Sequence, residues 1–235
     1  MKITRHCPQC LNDKFDSTGL SVVSIEVSDF VLDDSGIIPL ECENGHKYAF
    51  VFCSAKFELL FDVGMKALVD GYPREAVSSF AASLERFYEF YIGYILEKEG
   101  VSRGVFESSW KKVSNQSERQ LGAYIFLYTL IEGSTPNLLS SNESGFRNKV
   151  IHKGYIPTTK EAEEFGRSIY DLILGVVVNL EKNDSNGLLK YHQLQAPKAN
   201  GFNWVVNHSS NAINISRTRN GTCNFGFENI KQYFK

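Results

Sequence analysis

No stretch of this chain is apolar for long enough to span a bilayer. Its most apolar segment, Ile169 to Leu180, is interrupted by Asp171 and Asn179 and falls short of the ~20 residues a membrane helix needs. The start, MKITRHCPQC, has no apolar core of the kind a secretion signal carries before its first cysteines. These absences set the expectation of a cytosolic protein that does not enter membranes. Net charge is also scarce: 25 Lys and Arg against 27 Asp and Glu leave −2. That balance excludes a uniformly basic nucleic-acid binder, so any such role must come from a local patch. With only five cysteines and a reducing compartment expected, a disulfide framework is excluded in favour of thiolate chemistry or a metal. Internal repeats and low-complexity tracts are absent as well.

What the sequence does have is core material, 43% hydrophobic residues over 235 positions, ample for one large domain or two small ones. Three segments differ in pattern. Residues 1–54 alternate in the β manner, as in LSVVSIEVSDFVL and HKYAFVF, and hold four of the five cysteines. This segment is acidic, eight Asp and Glu against four Lys and Arg, so phosphate backbones are not its natural target.

Residues 55–184 read as a helical bundle. Val77, Phe80, Ala81, Leu84, Phe87, Tyr88, Tyr91 and Ile95 form one apolar stripe at three- and four-residue spacing, with Pro73 in the first turn and Gly100 at the end. Further helices are predicted over Lys56–Val69, Glu118–Ile131, the segment around Arg147, and Thr159–Leu180, the last with an N-cap threonine and acidic first turn. These helix lengths predict an up-and-down bundle. Residues 185–235 turn to Asn, Ser, Gly and isolated aromatics and are locally basic, six Lys and Arg against one acid. Within them AINISRTRNGTCNFGF reads as a hairpin around Asn220-Gly221. The fold class is therefore α+β: mainly a helical bundle, with an N-terminal β-rich module and a short β-containing C-terminal appendage.

Two features carry chemistry. Cys7-Pro-Gln-Cys10 is a C-x2-C turn, and Cys42-Glu-Asn-Gly45-His46 supplies a second pair with a glycine for the tight bend. Three thiolates and one imidazole suit a closed tetrahedral zinc site, structural because no position is left for water or substrate. His6 and Cys53 lie close enough in sequence to substitute for a member of the set. A zinc-dependent hydrolase would need an open position, which four ready ligands argue against.

The second feature is Gly145-Phe-Arg-Asn-Lys-Val-Ile-His-Lys-Gly-Tyr-Ile-Pro157. Gly154 and Pro157 place His152 in a last helical turn, where the carbonyl end of the helix favours positive charge. Five residues of helix turn through roughly 500°, leaving Arg147 and His152 about 140° apart. Either the helix unwinds, or both side chains border a cleft that a second surface completes. A histidine that exchanges protons beside a permanent guanidinium is suited to RNA transphosphorylation. The bland alternative is a helix end that happens to carry both.

The run Arg147-Asn148-Lys149-Val150-Ile151-His152 resembles the signature of the HEPN (higher eukaryotes and prokaryotes nucleotide-binding) superfamily, arginine, a polar residue, a short spacer and histidine. The resemblance covers residues 55–182, and the overall plan, a zinc-ribbon-like module before a bundle, is similar to proteins of that kind. It implies a metal-independent endoribonuclease in which two motifs face one cleft of a homodimer, with Arg147 and His152 catalytic and Asn148 assisting. It further implies RNA as substrate and a toxin-like or antiphage role. A polar residue from the preceding long helix often contributes in the family, and Glu85, on the stripe Ser78, Ala82, Glu85, Glu89, is the candidate here. Other family members act as non-catalytic modules that bind a nucleotide or a protein partner.

Overall fold

The computed structural model describes residues 3–15, 24–27, 33–208, 210–218 and 227–234. The chain divides into two compact units, Met1–Ser54 with Gln195–Ser209, and Ala55–Leu194 with Ser210–Lys235.

In the first unit, β1 (Ile3–His6) pairs antiparallel with β2 (Ser24–Val27), and α1 (Pro8–Phe15) intervenes between them. The β-rich reading of residues 1–54 does not anticipate this helix. Proline at its first position costs no hydrogen bond and arrives with a helical φ, and the Leu11 amide closes back onto the Cys7 carbonyl at 3.0 Å. Strands β3 (Ile37–Glu41) and β4 (Lys47–Phe52) form an antiparallel pair with Ile38 opposite Phe50 and Leu40 opposite Tyr48. A fifth strand, β5 (Val205–His208), runs parallel to β4 with Ala49 beside Val205. Strand β4 is thus central, and Tyr48 through Phe52 are all buried. The expected in-out alternation gives way to burial on both faces, the usual condition of a middle strand.

The second unit is helical: α2 (Lys56–Val69), α3 (Pro73–Lys98), α4 (Arg103–Trp110), α5 (Ser117–Glu132), α6 (Ser141–His152) and α7 (Thr159–Gln193), followed by short α8 (Ile215–Thr218), α9 (Phe227–Ile230) and a 3-10 turn Lys231–Phe234. Helix α3 is the hub, packing on α2, α4, α5, α6 and α7. Every member of its predicted stripe, Val77 to Ile95, is buried. The helix ends with Gly100 at a φ of 83°, a left-handed position glycine takes without a Cβ clash. No helix among the described residues is long and apolar enough to cross a membrane.

Packing around Phe80 leaves no room for added carbon. A Cβ placed on Gly64 of α2 or Gly166 of α7 would lie 2.6 Å from that ring, so two glycines let two backbones press on one phenylalanine. Gly166→Ala is expected to destabilise the bundle by about 1–3 kcal/mol through overpacking. Thermal denaturation should show it, at roughly 2–4 °C per kcal/mol for a chain of this size, and Phe80→Leu in the same background should recover part of the loss.

Helix α7 outruns its predicted end. It breaks helical geometry at Asp184, with φ −158° and ψ 69°, then continues to Gln193. Asp184 restarts the helix by accepting the Gly187 amide at 2.9 Å, while the Tyr94 hydroxyl donates to its other oxygen at 2.9 Å. The change of composition near residue 184 therefore marks a kink and not a domain end.

Residues 185–235 are consequently not one appendage. Leu188, Tyr191 and His192 belong to the helical core, 195–209 join the first unit, and Ser210 onward returns to the second. Of the expected hairpin, the first arm is partly helical at Ile215–Thr218, and the Asn220-Gly221 turn lies outside the described residues.

Two carboxylates of α2 hold that return. Glu58 is fully buried and accepts from the Ala55 amide at 2.7 Å, the Ile215 amide at 2.8 Å and His192 Nε2 at 2.6 Å. One turn on, Asp62 accepts the Asn211 and Ala212 amides at 2.8 and 2.9 Å. Burial works to lower the His192 pKa, but the charge and hydrogen bond of Glu58 outweigh it and hold the value above the ordinary histidine range. A group whose folded pKa is raised stabilises fully below its unfolded pKa of about 6.5 and loses that contribution as pH climbs through the folded value. The thermal midpoint should therefore fall on the alkaline side of neutrality, and His192→Gln should flatten that part of the profile.

Candidate metal centre and candidate active site

The first C-x2-C turn is built by the start of α1. Cys7 immediately precedes the helix, Cys10 lies in its first turn, and both are buried. The second pair sits on the β3–β4 turn, where the Cys42 amide meets the His46 carbonyl at 3.1 Å and Gly45 turns at a φ of 76°. Ligand atoms of Cys7, Cys10, Cys42 and His46 all lie within 4.8 Å of one another. Cys10 Sγ is 3.7 Å from Cys42 Sγ and 3.1 Å from His46 Nδ1, and Cys7 Sγ is 3.8 Å from the same nitrogen.

A tetrahedral metal with sulfur ligands near 2.3 Å holds those sulfurs roughly 3.8 Å apart, so the four residues present fit a closed Cys3His centre. The set could hold a metal ion, and it uses the four residues singled out from sequence. Cys53 stays outside it; burial pushes its thiol pKa up. The side chain of His6 is outside the described residues.

The surroundings favour thiolate unevenly. At Cys42 burial opposes ionisation, but the amides of His46 and Asn44 and the neighbouring sulfurs bring the pKa below the ordinary value. At Cys7 burial prevails over the Cys10 and Gln9 amides and raises it. Asn44 Nδ2 donates to Cys10 Sγ at 3.2 Å, a supporting contact of the kind that orients metal ligands. Tyr48, Leu40, Trp204 and Val206 pack over the sulfurs. Asn44 was legible as the residue between two ligands in one turn. Trp204 and Val206 were not, because only strand pairing brings them beside β4.

In the second unit, α6 begins at a reciprocal cap: Ser140 Oγ accepts the Glu143 amide and Glu143 returns to the Ser140 amide at 2.7 Å. It is helical throughout to His152 and stops where Gly154 turns at a φ of 69°. Unwinding therefore does not bring Arg147 and His152 to one side. Val150 anchors the inner face at 0% exposure, while His152 and Asn148 face solvent.

Arg147 instead leans on α3. Its Nη2 donates to Glu85 Oε1 in an ion pair with both side chains about three-quarters buried, and its Nη1 donates to Asn148 Oδ1 at 3.3 Å. Tyr88 lies next to the pair; burial, then Glu85, raises its phenol pKa, with Arg147 opposing. The structure thus joins Glu85, Arg147 and Asn148, and leaves His152 at the exposed end of the same helix.

The guanidinium offers five N–H donors, so these contacts orient it without exhausting it. An oriented cation can balance charge on a phosphate, and an exposed imidazole can move a proton. Comparison with protein-family models, curated proteins and solved structures finds no match to this chain.

Proposed function

We propose that the chain is an endoribonuclease of HEPN type, with a zinc ion holding its N-terminal unit together. The observation that carries the reading is the Glu85–Arg147–Asn148 group with His152 exposed on the same helix. Arg147, already aimed by Glu85, would offset charge on the phosphate in flight. His152 would take the proton of a ribose 2′-hydroxyl, whose oxygen bonds to the adjacent phosphorus as the bond to the 5′-oxygen breaks. A proton returned to that oxygen leaves a 2′,3′-cyclic phosphate and a 5′-hydroxyl. Because one helix sends Arg147 and His152 in different directions, a second copy bringing its own motif is part of this proposal. The test is cleavage of a mixed single-stranded RNA with EDTA present, comparing wild type with His152→Ala and Arg147→Ala. Equal cutting by folded variants would refute the site.

A second reading draws on the same ion pair. Glu85 and Arg147 join α3 to α6 within one chain and could serve as a strut in a non-catalytic module that binds a nucleotide or a protein. That reading expects no cleavage and full tolerance of His152→Ala.

For the metal centre we infer zinc, since three thiolates and an imidazole in a closed buried set suit it over harder cations. Its chemistry would be to neutralise the thiolates and cross-link α1 to the β3–β4 turn. The four side chains would hold it, the amides of the turn orient Cys42, and Trp204 packs against the cluster.

A further inference from the structure

Tyr48 is 1% exposed, and its hydroxyl meets no hydrogen-bond partner among the described residues. A buried hydroxyl left unpaired carries a cost that phenylalanine would not incur at the same place. Strand β4 does use phenylalanine at the next two positions of that face, Phe50 and Phe52. The tyrosine stands instead where the strand reaches the thiols. It follows His46 by two residues, pairs with Leu40 across the strands, and shares one buried cluster with Cys7, Cys10 and Cys42. Burial, and after it the charge of Cys7 ahead of Cys42 and Cys10, pushes its phenol pKa up. The hydroxyl therefore keeps its proton as a donor, and Cys7 is its strongest sulfur neighbour.

A loaded centre of this composition needs donors. Three thiolates outnumber the charges of a divalent ion by one, so the Cys3His set with its metal is a buried anion. Hydrogen bonds to the sulfurs spread that charge and fix the ligands. Cys10 Sγ has such a bond from Asn44 Nδ2 at 3.2 Å, and the amides of His46 and Asn44 serve Cys42. Cys7 is the least compensated of the three, because there burial prevails over the Cys10 and Gln9 amides. A neutral thiol accepts weakly and a thiolate strongly, so the hydroxyl gains a partner worth having only when the sulfurs are ionised around a metal.

We propose that Tyr48 is a positioning residue of the metal centre, its hydroxyl donating to the thiolates of the loaded set, foremost Cys7. The proposal rests on the zinc reading above for the presence of an ion; the donor itself is argued from the buried hydroxyl and the sulfurs beside it. The ring packs with Leu40, Trp204 and Val206 over the cluster, and the oxygen adds to that cover a bond that holds charge in place.

Cobalt(II) substituted into the full chain tests the proposal, because the sulfur-to-cobalt charge-transfer band reports electron density on the bound thiolates. Tyr48→Phe keeps the ring and removes only the oxygen. At saturating cobalt its band should move to longer wavelength, since a thiolate stripped of a donor gives up an electron more easily. Competition with a chelator should show metal held about 10–100-fold less tightly, the usual cost of losing a supporting hydrogen bond. Leu40→Ala separates the donor from its packing, because it trims the same apolar cover and touches no hydrogen bond. Its band should stay where the wild-type band lies. A band unmoved by Tyr48→Phe, whatever the affinity, or one moved equally by Leu40→Ala, would overturn the donor and leave the centre standing. A wild-type chain that takes up no cobalt would overturn the centre and the donor together.

Discussion

Purified without added metal, the chain should carry about one zinc ion per molecule, and Cys42→Ser should lose both the metal and the fold of the first unit. The reason is how little else holds that unit. Its described sheets are short, two strands and three strands, and the start of α1 is tied to the β3–β4 turn by a buried cluster of Cys7, Cys10, Cys42 and Tyr48. Units of this size bury a smaller fraction of their surface than larger domains do and are often held by a metal. Structural zinc supplies about 10–16 kcal/mol of apparent binding energy in small finger peptides near neutral pH, more than such a core provides.

Removing one sulfur would also leave the other buried thiols without their shared counter-charge. Elemental analysis reads the metal, and limited proteolysis reads the fold, with cuts expected in residues 1–54 while the helical unit persists. Cys53→Ser is the control, since that thiol lies outside the four-ligand set, and it should change neither. Metal content well below one equivalent in wild type, or a protease-resistant Cys42→Ser, would remove the centre from the account.

The second large effect concerns RNA. His152→Ala and Arg147→Ala are each expected to slow cleavage by about 10²–10⁴-fold, the range for loss of a positioned proton-transfer group or of a charge-stabilising donor. The two should not add, because residues that act as a unit fail together. Arg147→Lys should restore little: an ammonium cannot hold Glu85 and Asn148 while presenting a planar fork to phosphate. Glu85→Gln should cost less than either, since it loosens the aim of Arg147 without removing it.

The product end groups add a check that binding alone cannot imitate, a 2′,3′-cyclic phosphate opposite a 5′-hydroxyl. If folded variants cut as wild type does, the Glu85–Arg147 pair is a strut between helices. Its worth would then be that of a partly exposed ion pair, about 0–1 kcal/mol.

The sequence by itself determined α2, α3, α5, α6 and the first part of α7, the buried stripe of α3 and the four candidate ligands, because each is a local pattern; α4 and the extension of α7 past Leu180 were not read from it. A stripe at three- and four-residue spacing can face inward only as a helix, and two short turns bearing thiols and an imidazole need only meet. Glu85 was also within reach of a local reading, as a polar member beside that stripe. The rest depended on partners far along the chain. Nothing local in the sequence marks Glu58 and Asp62 for burial; they are buried because amides of residues 211–215 arrive to be accepted. Strand β5 looked like part of a basic tail, and only its pairing with β4 places Trp204 and Val206 against the sulfurs. Periodicity fixes which face of an element is apolar; which distant backbone satisfies a buried carboxylate or extends a sheet edge is decided when the chain closes on itself, since hydrogen-bond partners have no spacing rule.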